Sequence, residues 1–364
     1  MKIIFDGLIY SLQNQGGISR YFDELINGLA LNPECEVTVL LRKDTRNKIF
    51  NEKVTVEVID SIIYSRNRFL KYLSIFIDGI KTKKFLLSRT DLSNAILHHT
   101  YYRHFNSLKV KQIITVYDLV HEVLPDFFTG FLDKIYLYNK KQAILKSDSI
   151  IAISENTKTD LIKLYNIDPK KINVVYLGVS EIFKRTEKDK RVKPFFLFVG
   201  NRNKYKNFPF LLKAYNSWPR RNDFDLICAG GGEFNKEENK LISELNLNNI
   251  VKQVPNVGDP GLASYYNNTT ALIYPSIYEG FGLPILEAMA CGTPVICSDI
   301  PIFHEIGSNF PLFFKNRPNE LIERLDEITN NTYASPANSI EWTKQFYWQK
   351  VVTEIIELYE NMLY

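Results

Sequence analysis

The sequence contains few cysteines, no long apolar run and no large excess of either charge. Its four cysteines include no C-x2-C pair, so we expect reduced thiols and no structural zinc site. No run of about 18 apolar residues is present, and the apolar part of residues 1–6 is too short for a signal peptide, so we predict a cytoplasmic protein without a spanning helix. A net charge of +4 gives no indication of a nucleic-acid partner.

A complete G-x-G-x-x-G motif is also missing. The nearest approach is Gly280-Phe281-Gly282, where the third glycine is replaced by Ile285. The sequence therefore lacks the fingerprint with which dehydrogenases bind a dinucleotide.

The 364 residues have an ordinary globular composition, 45% hydrophobic and 24% charged, and a length that suggests two domains. Short β-rich runs alternate with helical stretches, which predicts parallel sheets with crossover helices. One predicted helix follows Ser154, a good capping residue. In the first half, strands are predicted at 2–6, 36–42, 95–100, 112–118 and 149–154.

The pattern breaks at residues 184–193, a charged stretch with little to bury, which we interpret as a linker. We predict α/β domains at 1–180 and 194–338, and a single C-terminal helix at 339–364, where apolar residues recur about every 3.6 positions. In the second domain, strands are predicted at 195–200, 225–232, 249–254, 271–275 and 294–298.

The most informative segment is residues 274–301, YPSIYEGFGLPILEAMACGTPVICSDIP. Glu279 and Glu287 are eight residues apart and would lie about 12 Å apart on one continuous helix. The intervening glycines allow close backbone approach to a ligand, and Pro284 suits a first helical turn, whose free amides bind anions. A nucleotide-sugar, with a diol at each end and a diphosphate between, fits this pattern.

This segment resembles the donor-binding signature of the retaining glycosyltransferases of family 4, and most of all that of bacterial mannosyltransferases that build O-antigen and capsule chains. The resemblance implies the GT-B fold, in which two doubly wound Rossmann-like domains face a cleft and the C-terminal helix crosses back to the first domain. The hexose would be bound by Glu279 and the backbone that follows, and the ribose by Glu287. That backbone comprises Gly280, Phe281, Gly282 and Leu283.

Two further loops match the family. Arg202 and Lys206 follow the strand at 195–200, and the resemblance assigns them to the donor diphosphate, although a basic surface loop is an alternative. Gly16 and Gly17 follow the first strand, where the family's backbone meets a phosphate, although an ordinary tight turn would look the same.

The loop after residues 112–118 departs from the family. A His-Asp pair is usual there, whereas this chain has Tyr117 before Asp118. We keep Asp118 and His121 as catalytic candidates, with a structural histidine as the alternative. Asp223 and Asp225 form a D-x-D pattern, but we predict no metal because Arg202 and Lys206 already offer charge to the diphosphate.

Residues 66–91 form the most basic stretch interleaved with apolar side chains. Seven basic and two acidic residues give it a net charge of +5. Such a stretch, Arg66 to Arg89 in particular, suits peripheral contact with an anionic membrane on its inner face, although a solvated helix face is equally compatible.

The sequence as a whole predicts a retaining hexosyltransferase. It would move mannose from GDP-mannose to a glycan or a lipid-linked oligosaccharide in cell-surface polysaccharide synthesis, with no cofactor beyond the nucleotide-sugar co-substrate. Two alternatives remain open: a nucleotide-sugar 2-epimerase on the same fold, and a non-catalytic subunit that binds donor or glycan.

Overall fold

The computed structural model describes residues 1–13, 16–63, 67–188, 193–202, 204–254, 257–333 and 338–363. The chain divides into two compact units. Unit 1 contains residues 1–178 and 348–364, and unit 2 contains residues 179–347. Each unit is a parallel sheet with crossover helices, so the predicted α/β class with two Rossmann-like domains is confirmed.

In the described part of unit 1, seven parallel strands lie in the order β3-β2-β1-β4-β5-β6-β7. Helix α6 begins after Ser154, whose Oγ accepts a hydrogen bond from the Thr157 amide at 2.9 Å, as predicted. The strands are β1 (Lys2–Phe5), β2 (Glu36–Arg42), β3 (Thr55–Ile59), β4 (Ala95–His99), β5 (Lys111–Val116), β6 (Ser149–Ala152) and β7 (Ile172–Val174). The helices are α1 (Leu8–Leu12), α2 (Gly17–Leu31), α3 (Arg68–Leu87), α4 (Val120–Val123), α5 (Phe131–Lys146) and α6 (Glu155–Tyr165).

The described part of unit 2 contains six parallel strands in the order β10-β9-β8-β11-β12-β13. Its central strands β8 and β11 are continuous apolar runs, as expected for a parallel sheet with helices on both faces. The strands are β8 (Phe195–Val199), β9 (Asp225–Ala229), β10 (Val251–Val254), β11 (Ala271–Tyr274), β12 (Val295–Ser298) and β13 (Leu312–Phe314). The helices are α7 (Phe208–Ser217), α8 (Lys236–Glu244), α9 (Gly258–Asn268), α10 (Leu283–Ala290), α11 (Pro301–Gly307), α12 (Pro318–Thr329) and α13 (Ser339–Thr343).

The C-terminal segment is two helices, so the single helix predicted for 339–364 is wrong. Helix α13 belongs to unit 2, where Trp342 Nε1 donates to the Ile306 carbonyl at 2.7 Å. The chain then extends, and the Val179 amide donates to the Phe346 carbonyl at 2.8 Å. Helix α14 (Trp348–Leu363) packs on α2 in unit 1. The apolar period continues through the break because both helices bury one face, each against its own unit.

The prediction that residues 184–193 form a linker is also wrong for residues 184–188. Residues 184–188 belong to unit 2, where the Thr186 amide donates to Asn267 Oδ1 at 2.7 Å and Lys188 Nζ donates to the Thr269 carbonyl at 3.0 Å. Polar contacts hold this charged stretch without apolar burial, which a composition argument does not detect. Residues 189–192 lie outside the described part of the chain. Among the described helices, none is long and apolar enough to cross a membrane.

Candidate functional site

The candidate residues of unit 2 lie in loops at one edge of its sheet. Strands β9, β8 and β11 are neighbours and parallel, so the loops that leave their carboxyl ends meet at the same edge. A backbone hydrogen bond of 2.9 Å from the Ile277 amide to the Tyr205 carbonyl joins two of these loops. The loop after β8 carries Arg202 and Lys206, and the loop after β11 carries Glu279.

Lys206 and Glu279 form a partly buried ion pair in these loops. Lys206 Nζ lies 2.5 Å from Glu279 Oε1 and 2.9 Å from the hydroxyl of Tyr274, and both charged side chains are 12% exposed. Burial and the nearby Glu279 charge raise the pKa of Tyr274, so the phenol stays neutral. The ammonium has three donors, and among the described residues two of them have these partners.

Arg202 does not point into open space. Its Nε lies 2.9 Å from Glu238 Oε1, and its two Nη atoms donate to the carbonyls of residues 230–233 at 2.8–3.3 Å. The guanidinium also lies over the ring of Phe234, 4.9 Å from its centroid. The side chain is only 3% exposed. In this structure Arg202 therefore holds the glycine-rich loop after β9, a contact that the sequence did not indicate.

The two glutamates of the signature are not on one helix. Glu279 lies in the loop, and α10 begins only at Leu283, so the spacing calculated for a continuous helix does not apply. Glu287 lies on α10, is 2% exposed and accepts a hydrogen bond of 2.9 Å from the hydroxyl of Tyr266 on α9. Burial raises the pKa of Tyr266, and the charge of Glu287 adds to this effect.

The residues between the glutamates shape the loop through the backbone. Gly282 has φ = 121°, and a Cβ there would lie 3.0 Å from Ile306 Cδ1 and 3.1 Å from Phe303 Cε1, so the position requires glycine. Gly280 and Phe281 are buried, and the ring of Phe281 packs against Phe346. These residues can therefore offer a ligand their backbone rather than their side chains.

In unit 1, Gly16 and Gly17 form the start of α2. Gly16 is extended, and a Cβ added at Gly17 would have no described atom within 4 Å, which leaves that backbone accessible. Asn14 and Gln15, which precede the pair, lie outside the described residues.

The two candidates after β5, Asp118 and His121, do not form an acid–base pair. Asp118 Oδ1 accepts from the Val120 amide at 3.1 Å. His121 stacks on Phe128, with ring centroids 3.9 Å apart, and its buried Nδ1 has no hydrogen-bond partner among the described residues. Burial lowers the pKa of His121, and the charge of Lys140 lowers it further, so the imidazole is neutral at pH 7. A general base oriented by a carboxylate is not present in this arrangement.

Sequence reasoning identified Tyr117 as the replacement for the family's histidine but missed two further buried phenols of unit 1, Tyr10 and Tyr21. Tyr10, Tyr21 and Tyr117 each have a buried hydroxyl without a hydrogen-bond partner among the described residues. The rings of Tyr21 and Tyr117 meet edge to face at 5.8 Å. Burial raises the pKa of all three phenols, so they stay neutral. Tyr10 lies on α1, a short helix that the sequence pattern does not predict.

The D-x-D pattern is engaged in ion pairs. Asp225 is the first residue of β9, at the opposite edge of the sheet from the candidate loops, and its carboxylate contacts Lys193 and Lys252. Burial opposes ionisation, but hydrogen bonds from both lysines hold the pKa of Asp225 below its usual value. Asp223 lies 3.7 Å from Arg220.

The fold and these loops define the class: a glycosyltransferase with two Rossmann-like domains, the GT-B architecture. Residues 15–181 match the model of Glycosyltransferase Family 4, and residues 179–346 match that of Glycosyl transferases group 1. An uncharacterised glycosyltransferase of Methanocaldococcus jannaschii is 30% identical over 71% of this chain and 70% of its own length. The chain belongs to glycosyltransferase family 4, and it is an enzyme of that class.

Two bacterial relatives have more specific names. The O-antigen chain mannosyltransferase RfbU of Salmonella typhimurium is 33% identical over 59% of this chain and 58% of its own length, so that match spans less than two thirds of the relative. O-antigen chain mannosyltransferase B of Escherichia coli is 25% identical over 99% of this chain and its full length. Among solved structures, sucrose-phosphate synthase from Thermosynechococcus elongatus superposes with a TM-score of 0.82 at 18% identity, over 99% of this chain and 98% of that one, which supports the fold.

Proposed function

We propose that this enzyme transfers mannose from GDP-mannose, with retention of configuration, to a glycan acceptor in cell-surface polysaccharide synthesis. The observation that carries the proposal is the ion pair of Lys206 and Glu279 beside Tyr274, at the carboxyl edge of a parallel sheet. Two O-antigen mannosyltransferases among the relatives support the choice of sugar and pathway.

The donor would lie across the loops of unit 2. Glu279 and the backbone of 280–283 would hold the hexose, and Glu287 would hold the ribose diol, since a carboxylate accepts two hydroxyl hydrogen bonds. The remaining donor of Lys206 and the first amides of α10 would face the diphosphate. For Gly16 and Gly17 of unit 1, contact of the backbone with a phosphate stays a prediction from the family resemblance.

The reaction would proceed by attack of the acceptor hydroxyl on the same face from which the diphosphate departs. The departing diphosphate would take the acceptor proton, which requires no separate base. This agrees with His121, which stacks on Phe128 and whose Nδ1 has no hydrogen-bond partner among the described residues. Lys206 and the helix amides would stabilise the charge that develops on the leaving group. Arg202 would act indirectly, because its guanidinium fixes residues 230–233. No metal or other cofactor takes part in this proposal.

The acceptor would be a lipid-linked oligosaccharide, and the enzyme would work at the inner face of the membrane as a peripheral protein. The basic stretch from Arg66 to Arg89 supports this location. Arg66 itself lies outside the described residues.

A thermal-shift screen with GDP-, UDP-, dTDP- and ADP-sugars tests the donor. GDP-mannose at about 100 times its Kd should stabilise the enzyme by about 2.7 kcal/mol. The variant Glu287→Ala should lose about 1.5–3 kcal/mol of donor binding by calorimetry, the usual value for a hydrogen bond to a charged group. Unfolding of the variant without ligand controls for a folding defect. Stabilisation by UDP-sugars alone would contradict the proposed donor.

A further inference from the structure

From Phe69 to Thr82, helix α3 of unit 1 has its polar side inside and its apolar side outside, whereas its last turn buries Leu86 in the apolar core. The residues that face the core include Ser74, Asp78 and Thr82, all buried. A surface helix of a globular protein normally shows the opposite arrangement, with its apolar stripe toward the core. The contacts of the inner face account for this inversion.

Buried ion pairs fix the inner face. Arg42 Nε and Nη2 each lie 2.9 Å from an oxygen of Asp78, and Arg103 Nη1 lies 2.8 Å from Asp78 Oδ2. Arg42 Nη2 also donates to Thr82 Oγ1 at 3.3 Å, and Arg103 Nη2 donates to the Ile75 carbonyl at 3.1 Å. Unpairing these charges inside the protein would be costly, so the helix cannot rotate to bury its apolar side.

The outer face is apolar from Phe69 to Ile80, about 17 Å along the helix axis, and the exposed Lys84 separates this part from Leu87. Seven large side chains on it are 44–67% exposed. Their spacing of three, four and seven residues places them on one side of the helix, and contiguous exposed apolar patches commonly mark interaction sites. We call this the α3 outer face, and it consists of Phe69, Leu70, Leu73, Phe76, Ile77, Ile80 and Leu87.

Most of the charges around this face are positive. The one exposed carboxylate beside Lys81 among the described contacts is that of Asp60, which is paired with Lys43. The only acidic residue of α3 is Asp78, which points inward, whereas Lys81 and Lys84 are exposed. Arg89 does not add to the excess, because it pairs with Glu57 and Asp91 at 2.6 Å. A second copy of this chain would bring the same lysines together across a two-fold axis, which disfavours self-association through this face.

We propose that the α3 outer face inserts into the headgroup region of an anionic lipid bilayer, with the lysines at the phosphates. An apolar helix face flanked by lysines is the arrangement with which interfacial helices bind such membranes. The proposal deepens the membrane location given above, and rests on the proposed function only for the role of that membrane as the site of the acceptor. Attachment would come from apolar insertion, with charge as an aid, rather than from charge alone.

Cosedimentation with vesicles tests the proposal. Wild type should bind vesicles of phosphatidylcholine with phosphatidylglycerol and bind phosphatidylcholine alone weakly. The double variant Phe69→Gln/Phe76→Gln should lose at least tenfold in affinity, because it removes two inserted rings and leaves the core untouched. The matched control Phe131→Gln/Tyr138→Gln removes two aromatic rings, 76% and 65% exposed, from α5 of the same unit and should bind as wild type does.

Three outcomes would overturn the proposal. Wild type without vesicle binding would do so directly. Equal binding of the Phe69→Gln/Phe76→Gln variant, with binding lost only in Lys81→Gln/Lys84→Gln, would show attachment by charge alone. A wild-type dimer that the phenylalanine variant converts to a monomer would identify a second copy as the occupant. Wild type and the Phe69→Gln/Phe76→Gln variant should transfer mannose to a short soluble acceptor equally well. If neither transfers mannose while the wild type still binds vesicles, the proposed function is refuted and the membrane proposal is not.

Discussion

Units 1 and 2 share the parallel α/β architecture but place their buried charges differently. In unit 1, Arg42, Asp78 and Arg103 lie between the sheet and α3, where they are bonded to one another. In unit 2, the partly buried pair of Lys206 and Glu279 lies in loops at the carboxyl edge. Charge in the first unit determines how a helix packs, and charge in the second unit determines how loops are held.

The difference follows from what each arrangement can contact. A buried ion pair contributes little net stability compared with apolar packing, but it strongly disfavours arrangements that leave one charge unpaired. The pairs of unit 1 therefore specify the orientation of α3. Charges held in loops above strand ends can still contact a ligand and are already oriented, which is what stabilisation of a leaving group requires.

We expect the largest effect from a substitution that breaks the ion pairs of Asp78 with Arg42 and Arg103 in unit 1. Asp78→Asn leaves Arg42 and Arg103 without their counter-charge and should lower stability by about 3–5 kcal/mol, measured by chemical denaturation. Asp223→Asn, at an exposed ion pair, is the control and should change stability by no more than about 1 kcal/mol. A loss of activity with full stability would mean that Asp78 belongs to a site.

The contribution of these ion pairs to the stability of the fold should depend on pH. Burial alone would raise the pKa of Asp78, but hydrogen bonds and charge from Arg42 and Arg103 lower it overall. A lowered pKa means that the stabilisation is present above the ordinary value of about 3.9 and is lost as the pH falls. The stability difference between wild type and Asp78→Asn should therefore shrink below about pH 4. A constant difference down to pH 2 would contradict this assignment.

The next effect concerns the loops of unit 2. Lys206→Ala should lower kcat by about 10²–10³-fold, as when one preorganised donor to a developing charge is removed. Lys204→Ala, an exposed lysine of the same loop, should leave kcat unchanged. If Lys206→Ala raises only the KM for the acceptor, Lys206 does not stabilise the leaving group.

A smaller effect separates two roles for Arg202. Glu238→Gln weakens the bond to Arg202 Nε and should lower kcat/KM about tenfold, because the loop at 230–233 loses support. Glu238 also accepts from the Asn235 amide at the start of α8, so Asn235→Ala, which removes only the side-chain cap, is the control. Unchanged or higher activity in Glu238→Gln would indicate that Arg202 contacts the phosphates directly.

We expect no effect on activity when divalent metal ions are removed. Lys206 and the α10 amides would neutralise the diphosphate without a metal, so activity should survive EDTA. Complete loss with EDTA and rescue by Mn²⁺ would contradict the proposed metal-independent reaction.

Most of the fold was predictable from sequence because central parallel strands are continuous apolar runs. The strands that were missed, β3, β7 and β13, all lie at sheet edges. Edge strands are short and partly exposed, as β3 is at Thr55 and Val56, so their apolar pattern is weak. The prediction of one helix for residues 339–364 was wrong for a different reason, since one apolar period covers two helices that pack on different units.

The candidate site was predictable where a motif carried it. The signature around Glu279 and Glu287 and the loop with Lys206 follow predicted strands, and the structure places both at the carboxyl edge of the unit 2 sheet. Tyr274 and Tyr266, which hydrogen-bond Lys206 and Glu287, carry no spacing signal, because Tyr266 is 21 residues from its partner. The partner of Arg202 is 36 residues away, and that distance likewise leaves no local pattern.

The sequence by itself determined the α/β class, the central strands and the loop residues of unit 2, because apolar runs, glycines and charged motifs act locally. Only the tertiary structure decided how those charges pair and which side of α3 is exposed. The basic and apolar residues of 66–91 are visible in the sequence, but their orientation depends on Arg42 and Arg103, which approach Asp78 from distant strands and loops. Long-range charge pairing, which no local pattern encodes, turned the apolar side of that helix outward.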